Sequence, residues 1–113
     1  MTYALFRDQF AALAPHKYPA EYIDAQVRSG NWKCWSNGKA AILATIKRYP
    51  SGFREVEGLA AAGDAQSILS LIPQAEEWGR QHGCSEASIA SRPAWSRLLP
   101  DYTVDQIKIV KEL

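Results

Sequence analysis

The sequence predicts an α/β fold, a mixed sheet with helices on both faces in the order α, α, β, β, β, α, β, α, β. Two hairpin turns, Ser36-Asn37-Gly38 and Tyr49-Pro50-Ser51-Gly52, divide an apolar stretch into three antiparallel strands at 32–36, 39–48 and 53–61. A helical stripe and a short strand follow, which makes a β-α-β unit whose right-handed crossover sets its two strands parallel. The middle strand carries Ala41, Ile42, Leu43, Ala44 and Ile46 almost without a break, as a strand buried on both faces does.

Taken in order, Phe6, Phe10 and Leu13 fall at helical spacing after Thr2, an N-cap residue type, and Pro15 closes this first helix. Pro19 opens the second, whose face is Tyr22, Ile23, Gln26 and Val27 and whose stop is Gly30. The three strands come next. Asp64 then caps a long helix with Ile68, Leu71, Ile72, Ala75 and Trp78 along one stripe and Gly83 at its end. Pro73 sits inside it and predicts a kink or two abutting helices, since an internal proline costs about 3 kcal/mol. "EASIA" reads as a short strand, "SRPAWSRLLP" as a helix capped by Ser91 with Pro93 in its first turn, and "TVDQIKIVKEL" as a last strand.

A length of 113 residues suits one domain, 1–113, with one core and no need of metal or disulfide. The 13 Lys and Arg nearly cancel the 12 Asp and Glu and are scattered, so nothing favours a nucleic acid or an anionic membrane as partner. Cys34 and Cys84 are far apart and outside any CxxC pair, which predicts free thiols in a reducing compartment. His16 and His82 lack partners at ligand spacing, so no metal site is expected. There is no basic, apolar leader pattern and no apolar run near the ~20 residues that span a membrane, and a soluble, cytoplasmic protein is expected.

Two features bear on function directly. The junction "GLAAAGDAQS" runs from a strand into a helix, where the backbone amides of Gly63, Asp64, Ala65 and Gln66 meet the positive end of the helix dipole, a geometry that suits phosphate. It equally suits a plain turn. Four tryptophans, at 32, 35, 78 and 95, are many for this length. Trp32 and Trp35 differ by an odd number within a strand and so point to opposite faces, which leaves one of them for solvent, self-association or a protein partner.

The element order resembles the GNAT acyltransferases, and "AEEWGRQHGCSEASIASRPAWSRLLPDY", with "KCW" and Lys111-Glu112-Leu113, resembles the pattern E-x-W-A-x-x-x-G-C, a strand, then G-R-x-G-W-x-R-x-L of small GNAT-like proteins encoded by phages and prophages. The likeness covers roughly residues 20–113. It implies either a binding or virion-associated module with little or no turnover, placed in host cytoplasm or virion, or an N-acyltransferase that moves an acyl group from acetyl-CoA or another acyl-CoA to an amine. Family members carry R/Q-x-x-G-x-G/A after this third strand to surround the coenzyme A pyrophosphate. This chain keeps only Gly63 and the three amides that follow, with the Asp64 carboxylate beside them. The family's general base implies Glu55 or Glu57, on one face at i and i+2, against the alternative that both line a solvated strand face. Its tyrosine acid, with Tyr102 set on the final aromatic of Y-x-x-x-G-F, falls on Arg97. Arg92, matching "GR", is implied as a contact to phosphate or carboxylate, against a structural ion pair.

Overall fold

The computed structural model describes residues 2–91 and 93–113. Two helices, α1 (Thr2–Ala11) and α2 (Ala20–Ser29), precede three strands, β1 (Trp32–Ser36), β2 (Ala40–Arg48) and β3 (Arg54–Gly63). The helix α3 (Ala65–Gln81), the strand β4 (Glu86–Ile89) and a 3-10 turn at Pro93–Arg97 follow. The sheet order is β1-β2-β3-β4, antiparallel between the first three strands and parallel between β3 and β4, as the crossover requires.

Both faces of the sheet are covered. On one, Phe6 and Phe10 of α1 and Ile23 of α2 bury against Ala41, Leu43 and Ala62. On the other, Ile68, Leu71 and Ala75 of α3 bury against Ala40 and Ile42. This explains the near-continuous apolar run of β2, whose residues 40–44 are all buried. The two strand tryptophans divide between the faces, Trp32 beside the first cluster and Trp35 beside the second. A fork of hydrogen bonds from Arg7 Nε and Nη2 to Asp24 at 2.8–3.0 Å, with Tyr3 donating to the same carboxylate at 2.6 Å, ties α1 to α2.

The first hairpin turn forms where the Asn-Gly pair predicts it, but only Gly38 takes a positive φ, of 87°. Asn37 works through its side chain instead: Oδ1 accepts from the Lys39 and Ala40 amides, and Nδ2 donates to Ser67 C=O and Ser70 Oγ. The turn is thereby fastened to the first turns of α3. Pro73 leaves α3 a single helix of 17 residues rather than two. The proline is exposed, off the buried stripe of Ile68, Leu71 and Ala75, on a side of the helix where water can satisfy a carbonyl that loses its donor.

Gly79 of α3, which the stripe reading passes over, is buried against β3. A Cβ there would stand 2.7 Å from Val56 Cγ1 and 2.8 Å from Val56 Cβ. Gly79→Ala is expected to cost about 1–2 kcal/mol net, because overpacking of about 1–3 kcal/mol outweighs alanine's helix preference of about 1 kcal/mol. A shift of the urea midpoint to lower concentration with unchanged slope checks this.

The last two elements differ from expectation. "SRPAWSRLLP" makes a five-residue 3-10 turn, not an α-helix, because too few residues lie between Pro93 and Pro100 to propagate one. Residues 103–113 form no strand. Their alternating side chains meet no opposing sheet, and a strand pattern without a partner has no ladder to join.

Candidate functional site

The geometry of interest arises in β3. Its register against β2 slips by one residue, with Leu43 opposite Ala60 and Ala44 opposite Gly58, so Leu59 is an extra residue in the strand. Such a bulge bends a strand and increases its local twist. On its other side β3 pairs with β4 only from Glu55–Glu86 to Gly58–Ile89, and among the described residues no strand pairs with it beyond that point. β4 ends there, at Ile89, and a cavity of about 440 Å³ lies beside the unpaired part of β3. Its walls are mostly apolar, with Leu59 and Ala61 from β3, Ile68 and Ile72 from α3, and Trp95 from the 3-10 turn.

Polar groups enter this cavity in few places. Tyr102 and Glu76 both line it, and the tyrosine hydroxyl donates to Glu76 Oε2 at 2.6 Å. Burial, followed by this hydrogen bond, raises the Tyr102 pKa well above the ordinary value for a phenol. Ser88 and Ser91 add two hydroxyls. Glu76 was not legible as a site residue, since a glutamate on a helix reads as solvated. Its i+3 spacing from Gly79 and i+4 spacing from Ile72 were the only signals that it follows the buried stripe.

Of the residues expected at the site, Gly63 lines the cavity and Glu55, Glu57, Asp64, Ala65 and Gln66 do not. Arg92 lies outside the described residues. Gly63 takes φ +113°, and a Cβ on it would stand 2.4 Å from Lys39 O and 2.6 Å from Ala40 Cα. The backbone at the start of β2 therefore selects glycine here. Asp64, the single residue between β3 and α3, caps the helix: Oδ1 accepts from Ser67 N–H and Oδ2 from Ser67 Oγ, each at 2.9 Å. These bonds, the backbone one first, hold its carboxyl below the ordinary range, so it is an anion at neutral pH.

Glu55 and Glu57 share the side of β3 away from α3, as their spacing requires, while Val56 between them packs on Gly79. Glu55 is buried at 6% exposure. It accepts from Tyr49 Oη at 2.9 Å and, by a short contact, from Ser88 Oγ. Burial pushes its carboxyl up, but the donors Ser88, Tyr49 and Glu86, with the charge of Lys47, outweigh that and keep it below the ordinary range. Glu86, its register partner on β4, moves the other way: the hydrogen bond to Glu55, then burial, raises its pKa. The carboxyl that couples to Glu55 is thus Glu86, across the parallel pair, a contact that no spacing within one strand reveals.

Coenzyme A needs donors for its diphosphate, and this structure does not fit that demand. The connection from strand to helix is one residue long, its glycine is set by β2, and a fixed carboxylate stands on the helix start. The mostly apolar cavity beside β3 does fit an apolar group.

A mixed sheet in the order β1-β2-β3-β4, with β3 and β4 joined in parallel through the crossover helix α3, is the fold that the resemblance to the GNAT acyltransferases implies. Solved structures bear this out. A transcriptional regulator from Bacillus halodurans C-125 superposes with a TM-score of 0.70 at 14% identity, over 96% of this chain and 91% of that one. A Trypanosoma brucei acetyltransferase gives 0.62 at 15% identity, over 83% and 78% of the two chains. A predicted acetyltransferase from Clostridium acetobutylicum, crystallised with acetyl-CoA, gives 0.61 at 9% identity, over 83% and 71%. At these identities the likeness is one of fold, and the chain has a GNAT-like fold. No protein-family model and no curated protein matches the sequence. Among the described residues, no helix is long and apolar enough to cross a membrane.

Proposed function

We propose that this chain is a GNAT-like binding module of phage or prophage type with at most weak acyl transfer. One observation carries the reading: the ionised Asp64 carboxylate occupies the helix start where a diphosphate would have to sit. Function belongs to sites rather than folds, so the shared fold alone does not supply turnover. The motif composite in residues 75–113 supports the phage or prophage type and a virion-associated or cytoplasmic setting. For a protein partner, Trp35 offers a surface: it is half-buried, meets Trp78 edge-on at 5.4 Å and lies under Lys33 Nζ at 5.8 Å. Trp32 is half-buried too, with Tyr18 and Tyr22 edge-on at 5.8 and 5.7 Å.

The second reading is an N-acyltransferase using acyl-CoA, with Glu55 or Glu57 as base and the amides of residues 63–66 with Arg92 as phosphate contacts. The cavity favours it, because on the side away from β2 the β3 edge at residues 59–63 has no strand partner among the described residues. Calorimetry with acetyl-CoA separates the two. Under the first reading the protein shows no micromolar binding and at most slow acetylation of an amine. Asp64→Asn keeps a cap but removes the charge, and should tighten whatever weak binding exists by about three- to tenfold. Micromolar affinity in the unaltered protein, with acetylation of an amine, would establish the second reading instead.

A further inference from the structure

A second groove, of about 430 Å³, lies between the edge strand β1 and α3, and its lining shares no residue with the cavity beside β3. Lys33 and Trp35 line it from β1, on one face at i and i+2, and Gln74, Glu77, Trp78 and Gln81 line it from α3. The two indoles meet edge-on at 5.4 Å with their planes at 72°, which makes a corner, and His82 stacks on Trp78 at 4.9 Å to hold that ring. Among the described residues neither indole N–H donates to an acceptor in the protein, and no buried side-chain nitrogen lacks a partner, so both N–H groups reach water. With the Lys33 ammonium, these are groups that only donate. The one lining group that only accepts, the Glu77 carboxylate, is engaged by Arg80 at 3.2 Å. The amides of Gln74 and Gln81 serve either way.

We infer that this groove binds a proline-rich segment of a protein partner in the polyproline II conformation. The inference rests on the binding-module reading and names the chemistry of the partner. Proline has no N–H and a polyproline II backbone makes no internal hydrogen bonds, so such a segment offers bare carbonyls to a surface with an excess of donors. Pyrrolidine rings pack on aromatic side chains, and the corner between the two indoles provides that packing. The lengths agree: residues 73–81 of α3 rise about 12 Å, and four residues of polyproline II extend about 12 Å. Other occupants bring donors of their own. A strand carries an N–H at every residue and a sugar an O–H at every hydroxyl, and with Glu77 paired only the two glutamine carbonyls are left to accept them.

Proton–nitrogen NMR of the whole chain, titrated with an N-acetylated, C-amidated octaproline, tests this. The indole cross-peaks of Trp35 and Trp78 should move to saturation with a Kd below about 1 mM, while those of Trp32 and Trp95 stay in place. Trp78→Phe keeps a ring but loses the N–H, and Lys33→Glu puts an acceptor where an exposed donor stood. Each should weaken binding by about three- to tenfold with the rest of the spectrum unchanged. No shift at millimolar octaproline, shifts at Trp32 or Trp95 instead, unaltered affinity in either variant, or equal binding of a glycine-serine peptide of the same length or of cellotetraose would each overturn the inference. Failure of octaproline together with no binding of acetyl-CoA removes the ligand class alone, because the binding-module reading falls only to micromolar affinity for acetyl-CoA.

Discussion

Gly63→Ala is expected to lower the unfolding free energy by about 3–4 kcal/mol, a large part of the roughly 5–15 kcal/mol that holds a domain together. Two costs add. The residue must keep φ +113°, which L side chains rarely adopt, and its Cβ must find room 2.4 Å from the Lys39 carbonyl oxygen and 2.6 Å from Ala40 Cα. Those neighbours are backbone atoms at and just before the buried start of β2, so relief requires moving a strand packed on both faces. A fall in thermal midpoint on the order of 10–15 °C corresponds to this loss. Gly52→Ala is the control: φ is +91°, but nothing lies within 4 Å of its Cβ, and it should cost only about 1 kcal/mol. If the two variants melt alike, crowding by β2 is not what selects glycine at 63, and a ligand-based reason for it returns.

Glu55→Ala is expected to cost about 1–3 kcal/mol, chiefly because it leaves the half-buried hydroxyls of Tyr49 and Ser88 without their acceptor. Glu55→Gln should recover part of that loss, since an amide oxygen still accepts one of them. The pH dependence has a definite sign. With a folded pKa below the ordinary 4.5, Glu55 contributes stability that is present above the unfolded value and is lost as pH falls through the folded one. Glu86 runs oppositely, its contribution being full below 4.5 and fading as pH rises through its raised value. Melting between pH 2 and 7 should therefore show an acid-side loss that Glu55→Gln flattens. If Glu55→Gln instead melts normally and abolishes a measurable acyl transfer, the carboxylate is a base rather than a buried anchor.

Local chemistry made much of this fold readable. Gly38 and Pro50 to Gly52 mark turns by backbone preference, Asn37 and Asp64 act by side-chain reach, and the strand-helix-strand order leaves one hand of crossover. The α-helix before Pro100 and the final strand, both expected from the sequence, do not form for a common reason. Periodicity records which side chains would face a surface, and says nothing of whether that surface exists. The site was less readable because it is made of relations between strands. The slip at Leu59 looks like any residue in an apolar run, and Glu55 meets Glu86 only once β3 and β4 lie parallel in one register. Glu76 and Tyr102, 26 positions apart, meet only because the crossover folds the chain back on α3. Gly63 and Asp64 were conspicuous in the sequence, and each has a sufficient reason in packing.

The slip in β3 sits next to three alanines in succession, residues 60 to 62. A methyl group is nearly the same guest on either side of a sheet, so this half of the strand has almost no preference for its phase. An odd residue can be gained upstream without stranding a large side chain in the wrong layer. Width between the parallel strands can thus change by single insertions or deletions while both cores stay filled, and the alanine run is the tolerance that makes such adjustment cheap.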